Sequence, residues 1–104
     1  MSLYPEAFGR YDPQGDPLFA VKLIVAVMVA DGHSDMLAGL VDGTSEFETI
    51  EGEPGWVLER RATDFRAWLP PELIESARPE VIVGRAALAA FLEAALAEAR
   101  ARRH

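Results

Sequence analysis

The densest group of reactive side chains in this 104-residue sequence is Asp31-Gly32-His33-Ser34-Asp35, directly after the most hydrophobic run of the chain. A neutral imidazole accepts a proton, and a neighbouring carboxylate can orient the ring or raise its pKa. Asp31, His33 and Asp35 are therefore candidate ligand-binding residues. The same five residues suit a polar turn between two helices, with Asp31 closing the first and Ser34 capping the second. No catalytic residue is assigned: Ser34 and Ser45 lack the pattern of a nucleophile elbow, and there is no glycine-rich phosphate loop. The chain has no cysteine, and His33 is its one internal histidine, so a structural zinc site is not expected. Asp31, Asp35 and Asp42 do not follow the spacing of a calcium loop, and neither a metal nor a cofactor is expected.

Charge placement is the second feature. The net charge is −7, and residues 23 to 59 contain no Lys or Arg while holding Asp31, Asp35, Asp42, Glu46, Glu48, Glu51, Glu53 and Glu59. The remainder is near neutral and ends in a basic tail. An acidic balance argues against a surface that tracks nucleic-acid phosphates. It fits either a solvated face or a docking surface for a basic protein, steered by complementary charge. In the docking reading Asp42, Glu46, Glu48, Glu51 and Glu53 are the partner-binding acids, and Trp56 and Trp68 supply apolar anchors. Arg60, Arg61 and Arg66 give that segment a basic flank that could pair with the central acids within one molecule or across a homodimer.

These residues must be positioned by one small domain, because a chain of this length supports a single core. Residues 1–15, rich in Pro and Gly, read as an arm that Tyr4, Phe8 and Tyr11 pin to a body spanning 16–104. Asp16-Pro17 offers a cap and a first helical proline, and Leu18, Val21, Val25 and Met28 recur on one face. A helix is predicted to Ala30, against a β-branched content that would suit a buried strand. Asp35–Val41 is predicted as a short helix with Met36, Leu37 and Leu40 on its apolar side. Residues 46–51 read as a strand, followed by a turn around Pro54. From Trp56, the recurrence of Leu58, Ala62, Phe65 and Leu69 predicts a helix to Leu69, and Pro71 starts another through Ile74 and Ala77. Val81-Ile82-Val83 is β-prone, and Gly84 leads into a last helix, Arg85 to Arg100, with Leu88, Phe91, Leu92, Ala95 and Leu96 inward. Arg100, Arg102 and Arg103 gather at its C-terminal end. The fold class is α+β, a small mainly helical domain with a minor short-stranded β component.

LIVAVMVADGHSDMLAGLVDG resembles the early helices of cone-shaped α+β domains of the nuclear-transport-factor-like superfamily, and GRAALAAFLEAAL a helix found in some of them. Those domains end in long curved strands, whereas this chain ends in a helix. The apolar helix before Ala30-Asp31-Gly32 also resembles tellurite-resistance-type helical domains, which are longer and all-helical. No function is carried over from either.

The run Pro17–Ala30 is too short for a membrane span and contains Lys22, and the N-terminus lacks a signal-peptide pattern, so a cytoplasmic setting is expected without membrane or nucleic-acid partners. The leading expectation is a non-enzymatic protein-interaction domain, an inhibitor or immunity-like factor whose acidic surface binds a basic protein; homo-oligomerisation is compatible with it. The alternative is a small-molecule-binding protein or enzyme with a pocket near Asp31 and His33.

Overall fold

The computed structural model describes residues 4–53, 55–72 and 74–102. Pro54 and Arg103, named above, lie outside them. The elements are α1 (Phe19–Ala30), α2 (Ser34–Asp42), β1 (Thr49–Gly52), β2 (Trp56–Arg60), β3 (Phe65–Trp68), β4 (Glu80–Val83) and α3 (Arg85–Ala101), preceded by a 3-10 turn at Glu6–Phe8. The strands form one antiparallel meander in the order β1-β2-β3-β4; α1 packs on one of its faces, and α2 and α3 pack against α1 and each other. The chain is therefore α+β. No helix among the described residues is long and apolar enough to cross a membrane.

Strand alternation sorts the side chains. Ile50, Trp56, Leu58, Phe65, Ala67, Val81 and Val83 point inward and are buried against the helices. On the outer face, Glu51, Val57, Trp68 and Glu80 form one cross-strand row, and Thr49, Glu59, Arg66 and Ile82 the next. Arg66 bridges its neighbours there, with Nε 3.3 Å from Glu59 Oε1 and Nη1 3.2 Å from Glu80 Oε2.

The segment from Trp56 to Leu69 corrects the helical expectation: it is the β2–β3 hairpin. The spacing Leu58, Ala62, Phe65, Leu69 mimics a helix only by bridging a turn. Within each run the period is two, and Ala62 is exposed at the turn. Arg61 N–H donates to the Asp64 carbonyl at 2.8 Å, and its Nε meets Asp64 Oδ1 at 3.0 Å, closing the loop. Pairing with β1 and β4 on either side then satisfies the backbone and buries the inward residues. The expected helix from Pro71 is also absent among the described residues. Two prolines remove donors at its start, and a segment stopped by Pro79 is too short to repay helix nucleation. Ile74 N–H reaches the Pro70 carbonyl at 2.9 Å, and Ala77 N–H bonds the Pro13 carbonyl of the arm at 3.0 Å instead. The strand expected over 46–51 begins later, at Thr49, because the Ser45 hydroxyl donates to the Phe47 carbonyl at 2.8 Å and holds a bend there.

Helix wins over strand in α1 because almost every side of it is covered. Phe19, Ala20, Val21, Ile24 and Val25 are 0% exposed. Each large apolar side chain so buried contributes about 1.5–3 kcal/mol. Asp16 sits upstream of the helix rather than at its cap position, which Leu18 holds; its carboxylate accepts the Leu18 N–H at 2.9 Å. The arm closes over this end. Tyr4 and Tyr11 pack on Phe19 with ring centroids 6.2 and 5.0 Å away, Phe8 meets Phe91 of α3 at 5.4 Å, and Ala7 N–H donates to Glu98 Oε1 at 2.8 Å. Lys22, the single charge of α1, is held at 2.7 Å from Asp16 Oδ2 and 3.0 Å from the Phe8 carbonyl. Burial, then the Asp16 charge, pushes the Tyr4 phenol up to about 12.

Burial alone would raise the Asp16 carboxyl, but the hydrogen bonds from Lys22 and the Leu18 N–H, with the ammonium charge, outweigh it and hold the group below its ordinary value of 3.8. The depressed folded pKa means that this contribution is complete above the unfolded value and is lost as pH falls through the folded one. Acid titration of stability should therefore be steeper below about pH 4 in the native chain than in Asp16→Asn. At neutral pH Asp16→Asn is expected to lose about 1–3 kcal/mol in chemical denaturation, because the Lys22 ammonium stays largely sequestered without its counter-charge. Parallel acid curves for the two proteins would exclude Asp16 as the source.

At the other end of the sheet, Gly52 pairs with Trp56, and the indole occupies the space a side chain would need. A Cβ on Gly52 would lie 2.8 Å from Trp56 Nε1 and closer still to the ring carbons. Gly52→Ala is expected to destabilise by about 1–3 kcal/mol through overpacking, read as a lower denaturation midpoint with an unchanged slope.

Candidate functional site

Helix α1 stops in a Schellman arrangement that follows from Asp31-Gly32. Gly32 takes φ +81°, a left-handed conformation that favours glycine; its N–H bonds the Val29 carbonyl at 3.2 Å and His33 N–H bonds the Met28 carbonyl at 2.8 Å. The His33 carbonyl then accepts the Leu37 N–H at 3.2 Å, which makes His33, not Ser34, the residue at the cap position of α2. This turn presents Asp31 and His33 to the edge strand β1 and the tip of the β1–β2 hairpin.

Between them lies a cleft of about 290 Å³. Val27, Met28, Met36, Ile50 and Trp56 give it apolar walls, and Asp31, His33, Glu51 and Glu53 its polar groups. Trp56 is 6% exposed and forms part of the floor. Its Nε1 is buried, without a hydrogen-bond partner among the described residues. Met36, expected on the apolar side of α2, is 42% exposed and stands at the cleft instead of in the core. A shallower depression on the hairpin tip adjoins, sharing Glu51, Gly52, Glu53 and Trp56.

Three acids of the base-free window thus line one cleft from two parts of the chain, Glu51 from a strand position in the outward-facing row at the sheet edge. The carboxylates of Asp31, Glu51 and Glu53 have no ion-pair or hydrogen-bond partner among the described residues. Of the other acids in the window, Glu59 pairs with Arg66 and Glu48 stands 3.9 Å from Arg60 Nη2, while Asp35, Asp42 and Glu46 make no ion pair among the described residues. Of the basic flank, Arg66 is used within the molecule by both Glu59 and Glu80, while Arg60 and Arg61 are each paired through one nitrogen. Asp35, in the first turn of α2, is exposed and does not line the cleft. Asp42 ends α2, Glu46 lies in the following loop and Glu48 precedes β1; all three are exposed and outside the cleft. The two tryptophans, expected at the entrance and exit of one helix, lie on neighbouring strands and opposite sheet faces, Trp56 inward and Trp68 paired with Val57 outward.

His33 is exposed, and no hydrogen bond among the described residues orients its ring. The acids and His33 do not form a metal-ligand cluster among the described residues. The arrangement offers negative charge over an apolar floor, which is suited to holding a cationic group by charge and its carbon stem by contact. The sequence groups Asp31 and His33 as candidate ligand-binding residues and sets Glu51, Glu53 and Trp56 in a separate group. It leaves out Val27, Met28, Ile50 and Gly52, whose place here depends on the hairpin register. No protein-family model, curated protein or solved structure matches the chain.

Proposed function

We propose that this protein is a non-enzymatic interaction domain that takes a Lys or Arg side chain of a basic protein partner into the cleft beside Asp31. The observation that carries this reading is a cleft in which unpaired acids adjoin apolar walls. Asp31, Glu51 and Glu53 line it without an ion-pair partner among the described residues, whereas Glu59 and Glu80 share Arg66 on the outer face of the sheet. A basic side chain matches both features. Its methylene stem lies along Met28, Met36 and Ile50, and its charged head meets the carboxylates at the rim. The remaining unpaired acids, Asp35, Asp42 and Glu46, add a long-range field that steers the partner without touching that side chain.

A small amine in the same cleft is the second reading, favoured by a volume near the lower end of small-molecule sites. In that case Asp31 and His33 bind the ligand directly, as a pocket near those residues requires.

Titration with an arginine-containing peptide, and separately with N-acetyl-arginine amide, tests both. Glu51→Gln combined with Glu53→Gln is expected to weaken peptide binding about tenfold, whereas Asp42→Asn combined with Glu46→Gln changes it less than about threefold. Equal losses from the two pairs would reduce the acids to an unspecific field and overturn the cleft. Binding of the amide as tight as that of the peptide would favour the small-molecule reading.

A further inference from the structure

The opposite end of the sheet holds a second cavity, of about 340 Å³, between the β2–β3 turn and the start of α3. Its charged lining is Arg60, Arg61, Asp64 and Arg85. Three arginines and one acid therefore line it, in a chain whose net charge is −7. Asp64 Oδ1 stands 3.0 Å from Arg61 Nε as an ion pair outside hydrogen-bond geometry, and the two terminal nitrogens of Arg61 have no partner among the described residues. Arg60 reaches inward from β2, its Nη1 close beneath Gly43 at the end of α2 and its Nη2 3.9 Å from Glu48 Oε1. Its Nε is buried and has no acceptor among the described residues, which is unusual for a charged donor. Arg85 is exposed and makes no ion pair among the described residues.

The start of α3 adds to this positive corner. Gly84 at its cap position has no side-chain oxygen, the first turn holds no acid, and the first backbone bond of the helix runs from Leu88 N–H to the Gly84 carbonyl at 3.1 Å. The amides of Arg85, Ala86 and Ala87 thus precede the helical ladder, at the positive end of the helix dipole.

We propose that this cavity binds the phosphate monoester group of a small molecule, its oxygens held by the guanidiniums of Arg60, Arg61 and Arg85. Guanidinium forks match tetrahedral phosphate oxygens, and a dianion uses more of the donors gathered here than a carboxylate does. The volume exceeds what a phosphate head fills, leaving room for an organic remainder. The acidic balance of the whole molecule disfavours a long polyanion and leaves a single small anion. This site is independent of the cation-binding cleft and does not rest on it.

Backbone amide NMR in phosphate-free, low-salt buffer, with glycerol 2-phosphate, inorganic phosphate and acetate added in turn, tests the assignment. Glycerol 2-phosphate is expected to shift the amides of residues 61–64 and 85–87 saturably, more tightly than inorganic phosphate and far more tightly than acetate. Arg85→Ala, at an exposed position, should weaken it about tenfold. Gly84→Asp, with nothing within 4 Å of the new Cβ, should compete by placing a carboxylate at the same helix start while leaving the fold intact. Absence of shifts at millimolar ligand, or affinity unchanged in both variants, would overturn the site. Acetate binding as tightly would overturn phosphate as its ligand class, and inorganic phosphate binding as tightly would overturn the organic remainder.

Discussion

Helix α1 reads FAVKLIVAVMVA, and it has no polar side to offer water. An amphipathic helix needs one covering layer, but this one needs cover on several sides at once. The sheet supplies one through Leu58, Phe65, Ala67 and Val83, α3 another through Leu88 and Leu92, and the N-terminal arm a third. Lys22 is the exception that shapes the arm. A half-buried ammonium needs an anion and a carbonyl, and Asp16 with the Phe8 carbonyl supplies both from the segment that must also cover Phe19. The position of the arm, the one-sided sheet and the place where the cleft opens all follow from enclosing this helix. The cleft forms where α1 runs out, at the Schellman turn, before the hairpin tip.

What could be read from the sequence follows the range of the interactions involved. The three helices were legible because periodicity and end signals are local: Asp31-Gly32 stops α1, Asp42-Gly43 stops α2, and the alanine-rich run from Arg85 has few other choices. Val81-Ile82-Val83 was legible as a strand for the same reason. Residues 56–69 were not, because strands of four or five residues give too few repeats to separate a period of two from 3.6. The apolar positions on either side of the Arg61–Asp64 turn happen to stand at helical spacing. The alternation of Trp56 and Leu58 against Val57 and Glu59 was the available signal. The same limit applies to the cleft. Its helical corner lies in five consecutive residues, while its other wall needs Ile50, Gly52 and Trp56 in register across two strands.

Folding also changes what the linear charge count means. Along the chain, residues 23–59 form one uninterrupted acidic block. In space, Arg66 from beyond the block lies between Glu59 and Glu80, and Arg60 turns toward Glu48. The block is thereby divided into a paired part, Glu48 and Glu59, and a part left unpaired at the α1–α2 turn, on α2, in the loop that follows and at the β1–β2 hairpin tip. Cross-strand pairing, not composition, decides where the negative potential of this molecule resides.

The order of elements along the chain has a consequence for synthesis. The helix that most needs cover, α1, is made before the meander, and α3, which closes one of its sides, only after it. During translation the apolar surface of α1 can meet only the arm and α2 until the hairpins and finally α3 have left the ribosome. The nascent chain therefore passes through a period in which its most hydrophobic segment is incompletely enclosed, when association with chaperones or with other nascent chains competes with folding. The local hairpins of the meander shorten that period, since sequential strands pair without long loop closures.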